Sequence, residues 1–400
     1  MQYDFNFYSS LLLITFSQGL IYSILILKKG IQTKNKSNYW LSLFVFLCSL
    51  YVAPWMLGFA GWYDNQPYRN FMFYMPFQHL FFIGPILFLY IQSLLNPAFL
   101  LNKKQFSHLI PGVLYGIYIF SIFIYDKLIS TKPYFYANGM DKDFDGWYQY
   151  SGFISMLIYL IFSLKYYNKY RKFVVQITSN ADAVLFSWIR KYLIAFLVML
   201  LLKVFTEIFF AIFPEYTNYV GGWWFYLIFS LILYYIAITG YANATQAKIG
   251  FKMLGLDQNP IQLINENSLI SDQEISIDYK KFKTEISPEI DIWKTKIENL
   301  ILTEKLFQNP ELSLSEIANK LKSNTNIISR AVNQGFNMNF NDFINNYRIE
   351  AVKEMFQKGE HKNSTLLGIA YDCGFNSKAT FNRAFKKNTN LSPKEFLSQN

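Results

Sequence analysis

The sequence predicts an all-α protein: a seven-helix transmembrane bundle followed by a cytoplasmic all-α domain with two helix-turn-helix units in tandem. Three observations support this. Aromatic residues make up 20% of the 400 residues and charged residues only 16%, whereas an average soluble chain has about 25% charged residues. Charges are sparse before residue 245 and dense after it. The last hundred or so residues repeat one short helical pattern about 53 residues apart.

Seven apolar stretches precede residue 244, each close to the roughly 20 residues that a helix needs to cross a bilayer. They are Tyr8–Leu27, Tyr39–Ala60, Phe71–Gln92, Phe106–Tyr125, Ser151–Tyr167, Trp188–Phe213 and Trp223–Tyr241. The fourth is the weakest, because Pro111 and two glycines interrupt it. We therefore expect a transmembrane sensor domain over residues 1–243.

The loops between these stretches predict an orientation. The first, third and fifth loops, counted with the ends of the adjoining stretches, hold twelve basic residues, whereas the second, fourth and sixth hold four. Loops rich in Lys and Arg stay on the cytoplasmic side of a membrane. Seven spans then put the N-terminus outside and the C-terminal tail in the cytoplasm, without using any property of the tail.

Lys203 and Glu207 form the acid–base pair deepest inside a predicted span. Four residues apart, they share one helix face and can neutralise each other. Charges inside a membrane often mark functional sites, so a structural ion pair and a ligand or signal-coupling site both remain open. Gln78 and His79, in the third stretch, either line a cavity or form hydrogen bonds inside the bundle.

Residues 244–290 are polar, with two prolines, and are expected to form a cytoplasmic linker before a domain at 291–400. The chain has three scattered histidines and two cysteines. It shows no Ser/His/Asp set, phosphate-binding loop or cluster of metal ligands. We therefore expect no enzyme activity, no cofactor and no metal.

The first helix-turn-helix unit begins at Ser313–Glu316, a capping-box pattern. A short polar break follows, and then a second helix at about residues 325–334 buries Ile328 and Val332. Its outward face carries Asn326, Ser329, Arg330 and Asn333. A helix, a tight turn and a polar second helix are typical of DNA-reading units.

The second unit has Gly374 at its turn, where glycine readily adopts the left-handed backbone conformation that ends many helices. Ser377 is expected to cap the next helix. Its outward residues are expected to be Lys378, Thr380, Arg383, Lys386 and Lys387. One helix at about Phe340–Gln357 separates the units. Its eighteen residues span about 27 Å, of the same order as the ~34 Å between successive major grooves.

These motifs resemble the AraC/XylS family of bacterial transcription regulators, in a membrane-anchored, multi-spanning form. The resemblance covers roughly residues 290–398 and is carried by Ile328–Ala331, Asn341–Arg348, Ile369–Phe375, Phe381–Lys386 and Leu391–Pro393. It implies that two helices per monomer contact bases of double-stranded promoter DNA. The implied contacts are Asn326, Ser329 and Arg330 in the first unit, and Lys378, Ala379, Thr380 and Arg383 in the second.

Other residues in the matching segments have different expected roles. Lys386 and Lys387 are expected to contact phosphate and to position the protein without reading sequence. Arg348 is expected to pair with a nearby glutamate or a backbone carbonyl. Cys373 lies where the family has a small buried residue, which indicates a core residue and not a redox sensor.

The sequence therefore favours a membrane-bound one-component regulator in the inner membrane, responding to a small molecule or a membrane signal. The first reading helix is nearly neutral, so tethering to the bilayer or a homodimer would have to offset weak DNA affinity. An alternative is a seven-helix transporter or receptor whose basic tail recruits a protein partner or anionic lipid.

Overall fold

The computed structural model describes residues 6–65, 67–69, 72, 79–96, 99–130, 146–179, 187–217, 219–243 and 288–399. The described residues are mostly helical, and none forms a strand. The chain divides into two units. One holds residues 1–167 and 187–250, and the other holds residues 168–186 and 251–400.

The first unit is built from long apolar helices. In chain order they are α1 (Phe7–Thr33), α2 (Lys36–Phe59), α3 (Leu80–Leu95), the short α4 (Lys103–Ser107), α5 (Ile110–Ile124), α6 (Gly146–Ile177), α7 (Ser187–Ile212) and α8 (Tyr219–Asn243). Helix α6 starts in the first unit and ends in the second.

Small residues let α1 and α2 approach closely. A β-carbon at Gly19 would lie only 2.1 Å from the hydroxyl of Ser49. Ser23 donates to the carbonyl of Ser42 at 3.1 Å, and the hydroxyl of Ser42 donates back to the carbonyl of Ser23 at 2.8 Å. Small residues and hydroxyl groups at helix contacts are typical of helices that pack in lipid, where the hydrophobic effect does not drive association.

Described helices overlap all seven predicted spans, and five of them are long and apolar enough to cross a membrane: Phe7–Thr33, Lys36–Phe59, Ile110–Ile129, Trp188–Ile212 and Val220–Asn243. The third predicted span corresponds to α3, a shorter apolar helix of 16 residues, and most of residues 70–78 lie outside the described part of the chain. The fifth corresponds to α6, which has 32 residues and includes the basic segment after Lys165.

The second unit contains shorter helices: α9 (Pro288–Thr303), α10 (Leu314–Lys320), α11 (Thr325–Arg330), α12 (Phe340–Gln357), α13 (Leu366–Asp372), α14 (Lys378–Thr389) and α15 (Pro393–Gln399). They enclose two hydrophobic clusters. Helices α9 to α11 pack on the first half of α12, which contributes Phe343 and Ile344. Helices α13 to α15 pack on its second half, which contributes Val352 and Phe356. The long helix therefore joins two small cores.

Candidate nucleic-acid interface

The first helix-turn-helix unit forms as its capping residues predict. The side chain of Ser313 accepts the backbone N–H of Glu316 at the start of α10. After α10, Lys322 is left-handed at φ 50°, and the N–H of Ser323 reaches back to the carbonyl of Ala318 at 2.8 Å. The side chain of Asn324 then caps α11. The result is a helix, a tight turn and a second helix.

Helix α11 presents the polar residues that the sequence predicts. Ile328 is fully buried, whereas Asn326 and Arg330 are exposed. Ser329 and Asn333 are half-buried, and the amide of Asn333 lies 3.3 Å from the hydroxyl of Ser329. The α-helical part ends at Arg330, and the chain continues as a π-helical turn over Ala331–Gly335. This face combines amide, hydroxyl and guanidinium groups suited to base edges.

The second unit has a turn of the same kind. Gly374 is left-handed at φ 93° and donates to the carbonyl of Tyr371 at 2.9 Å. Phe375 donates to the carbonyl of Ala370 at 3.0 Å. This pair of bonds is the Schellman motif that ends many helices. Lys322 of the first unit occupies the position that Gly374 occupies in the second.

Helix α14 exposes most of its predicted DNA contacts. Its cap, Ser377, accepts the N–H of Thr380 at 3.2 Å. The predicted contacts that are exposed on this helix are Lys378, Ala379, Arg383, Lys386 and Lys387. The expectation that Thr380 faces outward was wrong, since that side chain is only 2% exposed. Its hydroxyl lies 2.8 Å from that of Ser377, so it belongs to the helix cap and not to the outer surface.

Asn382 is absent from the predicted DNA contacts, although the 53-residue repeat indicates it. The helix caps Asn324 and Ser377 are 53 residues apart. The same offset moves the four outward positions of α11 onto Ala379, Asn382, Arg383 and Lys386. All four are exposed. Asn382 is thus the counterpart of Ser329, and applying the offset to every position would have found it.

Arg348 joins the two helix-turn-helix units at the middle of α12. Its Nε donates to the carbonyl of Phe307 and its Nη2 to that of Asn309, both at 2.7 Å. Its guanidinium lies 5.8 Å from the ring centre of Phe375 in the second core. Burial lowers the pKa of Arg348 to about 10, which leaves it charged at neutral pH. The expected pairing with a backbone carbonyl is confirmed, and the contact fixes one helix-turn-helix unit against the other.

Lys387 also contributes to this arrangement. Its ammonium group lies 2.6 Å from the carboxylate of Asp342 on α12. The next residue, Asn388, donates to the side chain of Asn346 at 3.1 Å. Lys387 is thus an exposed cation held beside α12, and part of its charge is already neutralised within the domain.

The candidate signal-coupling residues lie among the apolar helices of residues 1–167 and 187–250. Lys203 and Glu207 form an ion pair on α7 with a separation of 2.6 Å. Both line a cavity of about 550 Å³. His79 is buried, and its Nε2 lies 2.8 Å from the carbonyl oxygen of Leu47. Gln78, predicted beside it, lies outside the described residues.

Cys373 is buried in the second core, and this burial raises the pKa of its thiol to about 11.

Comparison with known proteins identifies the fold of the second unit. Residues 306–399 match the family described as "Helix-turn-helix domain". The C-terminal part of the chain carries an AraC-type helix-turn-helix domain. No curated protein and no solved structure matches the chain. The AraC-type domain is a DNA-binding domain of transcription regulators, so DNA is its partner.

Proposed function

We propose that this protein is a membrane-bound, one-component transcription regulator. Its AraC-type domain binds promoter DNA in a sequence-specific manner, and a signal sensed in the transmembrane bundle controls that binding. One observation carries the proposal. A DNA-binding domain with two outward faces at corresponding positions follows a first unit with five helices apolar enough to span a bilayer.

Two chemically different faces would read the DNA. Asn326, Ser329 and Arg330 of α11 offer amide, hydroxyl and guanidinium groups, and the amide group of asparagine suits adenine. Helix α14 is more basic, with Arg383 reading bases and Lys386 contacting phosphate. Because α11 carries little charge, we expect the second unit to supply most of the electrostatic affinity, and a homodimer to strengthen binding.

The distribution of basic residues supports a cytoplasmic location for the AraC-type domain. The loops on its predicted side of the bilayer, counted with the ends of the adjoining stretches, carry three quarters of the basic residues in this count. We propose a sensor domain at residues 1–243, a linker at 244–290 and the DNA-binding domain at 291–400. The protein would then lie in the inner membrane of a bacterium, where no nuclear envelope separates it from DNA.

We propose that the cavity around Lys203 and Glu207 receives the signal. Half of its lining residues are aromatic, including Tyr51, Trp55 and Tyr226. Its volume is in the range that suits small organic ligands. A ligand with one net charge would leave one member of the ion pair without a partner in a medium of low dielectric constant. We therefore expect a neutral or zwitterionic amphipathic molecule.

The test is DNA binding by the full-length protein in lipid nanodiscs. Footprinting on fragments of the genome should show sequence-selective protection at two segments about one helical turn apart, weakening steeply with salt. Arg383→Ala should reduce selectivity for DNA sequence. Lys296→Ala, on α9 and outside both helix-turn-helix units, should leave it unchanged. Absence of selective, salt-dependent protection would refute the proposal.

Mapping the tagged protein on chromosomal DNA would separate the proposal from its alternative. A regulator loses promoter occupancy when Arg383 is replaced by alanine. A transporter or receptor whose basic tail recruits a protein partner keeps the same occupancy, and its localisation or transport changes instead. The genes found near occupied sites would also narrow the chemistry of the signal.

A further inference from the structure

The chain that leaves α6 enters the core of the DNA-binding unit. Directly after this helix, Thr178 pairs with Ser313 in an isolated antiparallel bridge. The N–H of Ser179 donates to the carbonyl of Leu312 at 3.0 Å. Thr178 is 6% exposed and Ser179 is fully buried. These two residues, which we call the strap, therefore lie against the turn that starts the first helix-turn-helix unit.

Two polar side chains of α12 bind the strap, and a third links them to each other. The amide of Asn341 donates to the carbonyl of Ser179 at 2.8 Å. Arg348 donates through Nη2 to the hydroxyl of Ser179 at 3.0 Å, and through Nη1 to its carbonyl at 3.3 Å. Asn345 accepts from Arg348 at 3.1 Å and donates to Asn341 at 3.1 Å. A single serine thus completes a buried network.

The network needs the strap because its members are buried. Arg348 is 2% exposed, and Asn341 and Asn345 are each 5% exposed. A buried cation or amide that loses its hydrogen-bond partners is destabilised by the full cost of removing it from water. The strap is 169 positions from Arg348 in sequence. It acts as a built-in ligand of the DNA-binding domain, supplied by the two residues that directly follow α6.

We infer that the strap is a switchable tether, which holds the AraC-type domain to α6 when docked and frees it when released. The docked strap contacts the start of α10 and the middle of α12. It leaves Asn326 and Arg330 of α11 and the basic residues of α14 exposed, so it limits the position of the domain without covering these residues. After release, only the segment 244–287 connects the domain to the bundle. Those 44 residues span at most about 150 Å.

Helix α6 connects the strap to the cavity. Tyr148 and Tyr150, in its first turns, line that cavity, and Ile177 at its other end precedes the strap. One continuous helix therefore leads along the chain from the cavity residues to Ser179. The tether depends on the membrane placement proposed above but not on DNA binding.

Disulfide trapping in the full-length protein tests the docked contact directly. Paired residues of antiparallel segments have Cα atoms about 4.5–5.5 Å apart, which suits a disulfide. Thr178→Cys with Ser313→Cys should form one on mild oxidation in inside-out membrane vesicles. Thr178→Cys with Ser364→Cys, whose second site is exposed on the turn before α13, should not. Both native cysteines are buried. Failure of the first pair, or equal reaction of both, would overturn the inference.

Release is tested by cutting the chain between the bundle and the domain. A protease site is inserted within residues 251–280, the vesicles are cut, and they are then floated on a density gradient. The unmodified fragment should float with the vesicles. Ser179→Lys, which places a second cation beside Arg348, should lower the floating fraction by about tenfold or more. Ser364→Lys should leave it unchanged.

Each outcome of the flotation experiment bears on the tether. Loss of the unmodified fragment from the vesicles, or equal flotation of the Ser179→Lys fragment, would refute it. Aggregated fragment sinks, so protease resistance of the Ser179→Lys fragment shows whether it left the membrane as a folded domain. Neither experiment contains DNA, and the tether can therefore fail while the proposed DNA-binding function holds, or the reverse.

Discussion

Gly374 lies against the carbonyl oxygen of Phe307, so that a β-carbon at position 374 would be only 2.3 Å from this oxygen. The contact joins the turn of the second helix-turn-helix unit to the first unit. Gly374 is also left-handed at φ 93°. Two independent constraints therefore require glycine here, one from the backbone conformation and one from the packing between units.

Gly374→Ala should destabilise the AraC-type domain and weaken DNA binding. Left-handed strain alone costs about 1–3 kcal/mol, and the steric clash adds to it. Gly359→Ala is the matched control, because Gly359 is left-handed at φ 79° with no atom within 4 Å of its β-carbon position. Thermal unfolding of the full-length variants should show a larger loss for Gly374→Ala. Equal losses would contradict the packing argument.

Arg383→Ala and Lys386→Ala should impair DNA binding in different ways. Arg383, at a base-reading position, should contribute about 1–3 kcal/mol of discrimination at one base pair. Lys386, at a phosphate position, should weaken binding on all sequences and reduce the salt slope by about one. Titrations at several salt concentrations on specific and scrambled DNA measure both effects. The assignment fails if Lys386→Ala alters base preference.

Asn382→Ala and Thr380→Val should separate surface from core on α14. Asn382 is exposed, so its replacement should lower DNA affinity without changing the unfolding temperature. Thr380 is buried beside Ser377, so losing its hydroxyl should cost about 1 kcal/mol of stability and leave base preference intact. The opposite pattern would restore Thr380 as a DNA contact.

Local chemistry made much of the DNA-binding domain predictable. The eighteen-residue helix Phe340–Gln357 forms with the predicted bounds, because its apolar period and its flanking polar breaks are strong signals. Ser313 and Ser377 cap helices as expected, since their side chains act on residues three positions away. Gly374 is left-handed, as glycine at a helix end favours.

Other features depend on information that a local pattern does not carry. Lys322 adopts the same left-handed turn as Gly374, and a lysine gives no signal for it. Thr380 directly precedes the core residue Phe381 in sequence, and a step of one residue, about 100° round the helix, decides between core and surface. The docking of Ser179 on Arg348 joins residues 169 positions apart, and each looks like an ordinary polar residue on its own. The length of α3 reflects where its helix begins, and apolar composition alone does not fix that position.

Neutralising one member of the Lys203–Glu207 pair should cost more than neutralising both. Glu207→Gln leaves the ammonium group of Lys203 without its partner in a predicted membrane span, which costs up to about 3 kcal/mol. Adding Lys203→Met removes that charge and should recover most of the loss. The exposed pair Lys353–Glu350 on α12 is the control, since neutralising one member of such a surface pair costs about 0–1 kcal/mol.

Thermal unfolding in nanodiscs measures these differences, and promoter output shows whether the pair also senses a signal. If the cavity receives the ligand, the double variant should be nearly as stable as the unmodified protein yet no longer respond to inducing conditions. Its DNA binding should persist, because the AraC-type domain is unchanged. A double variant that is stable and still fully responsive would show that the ion pair only holds the bundle together.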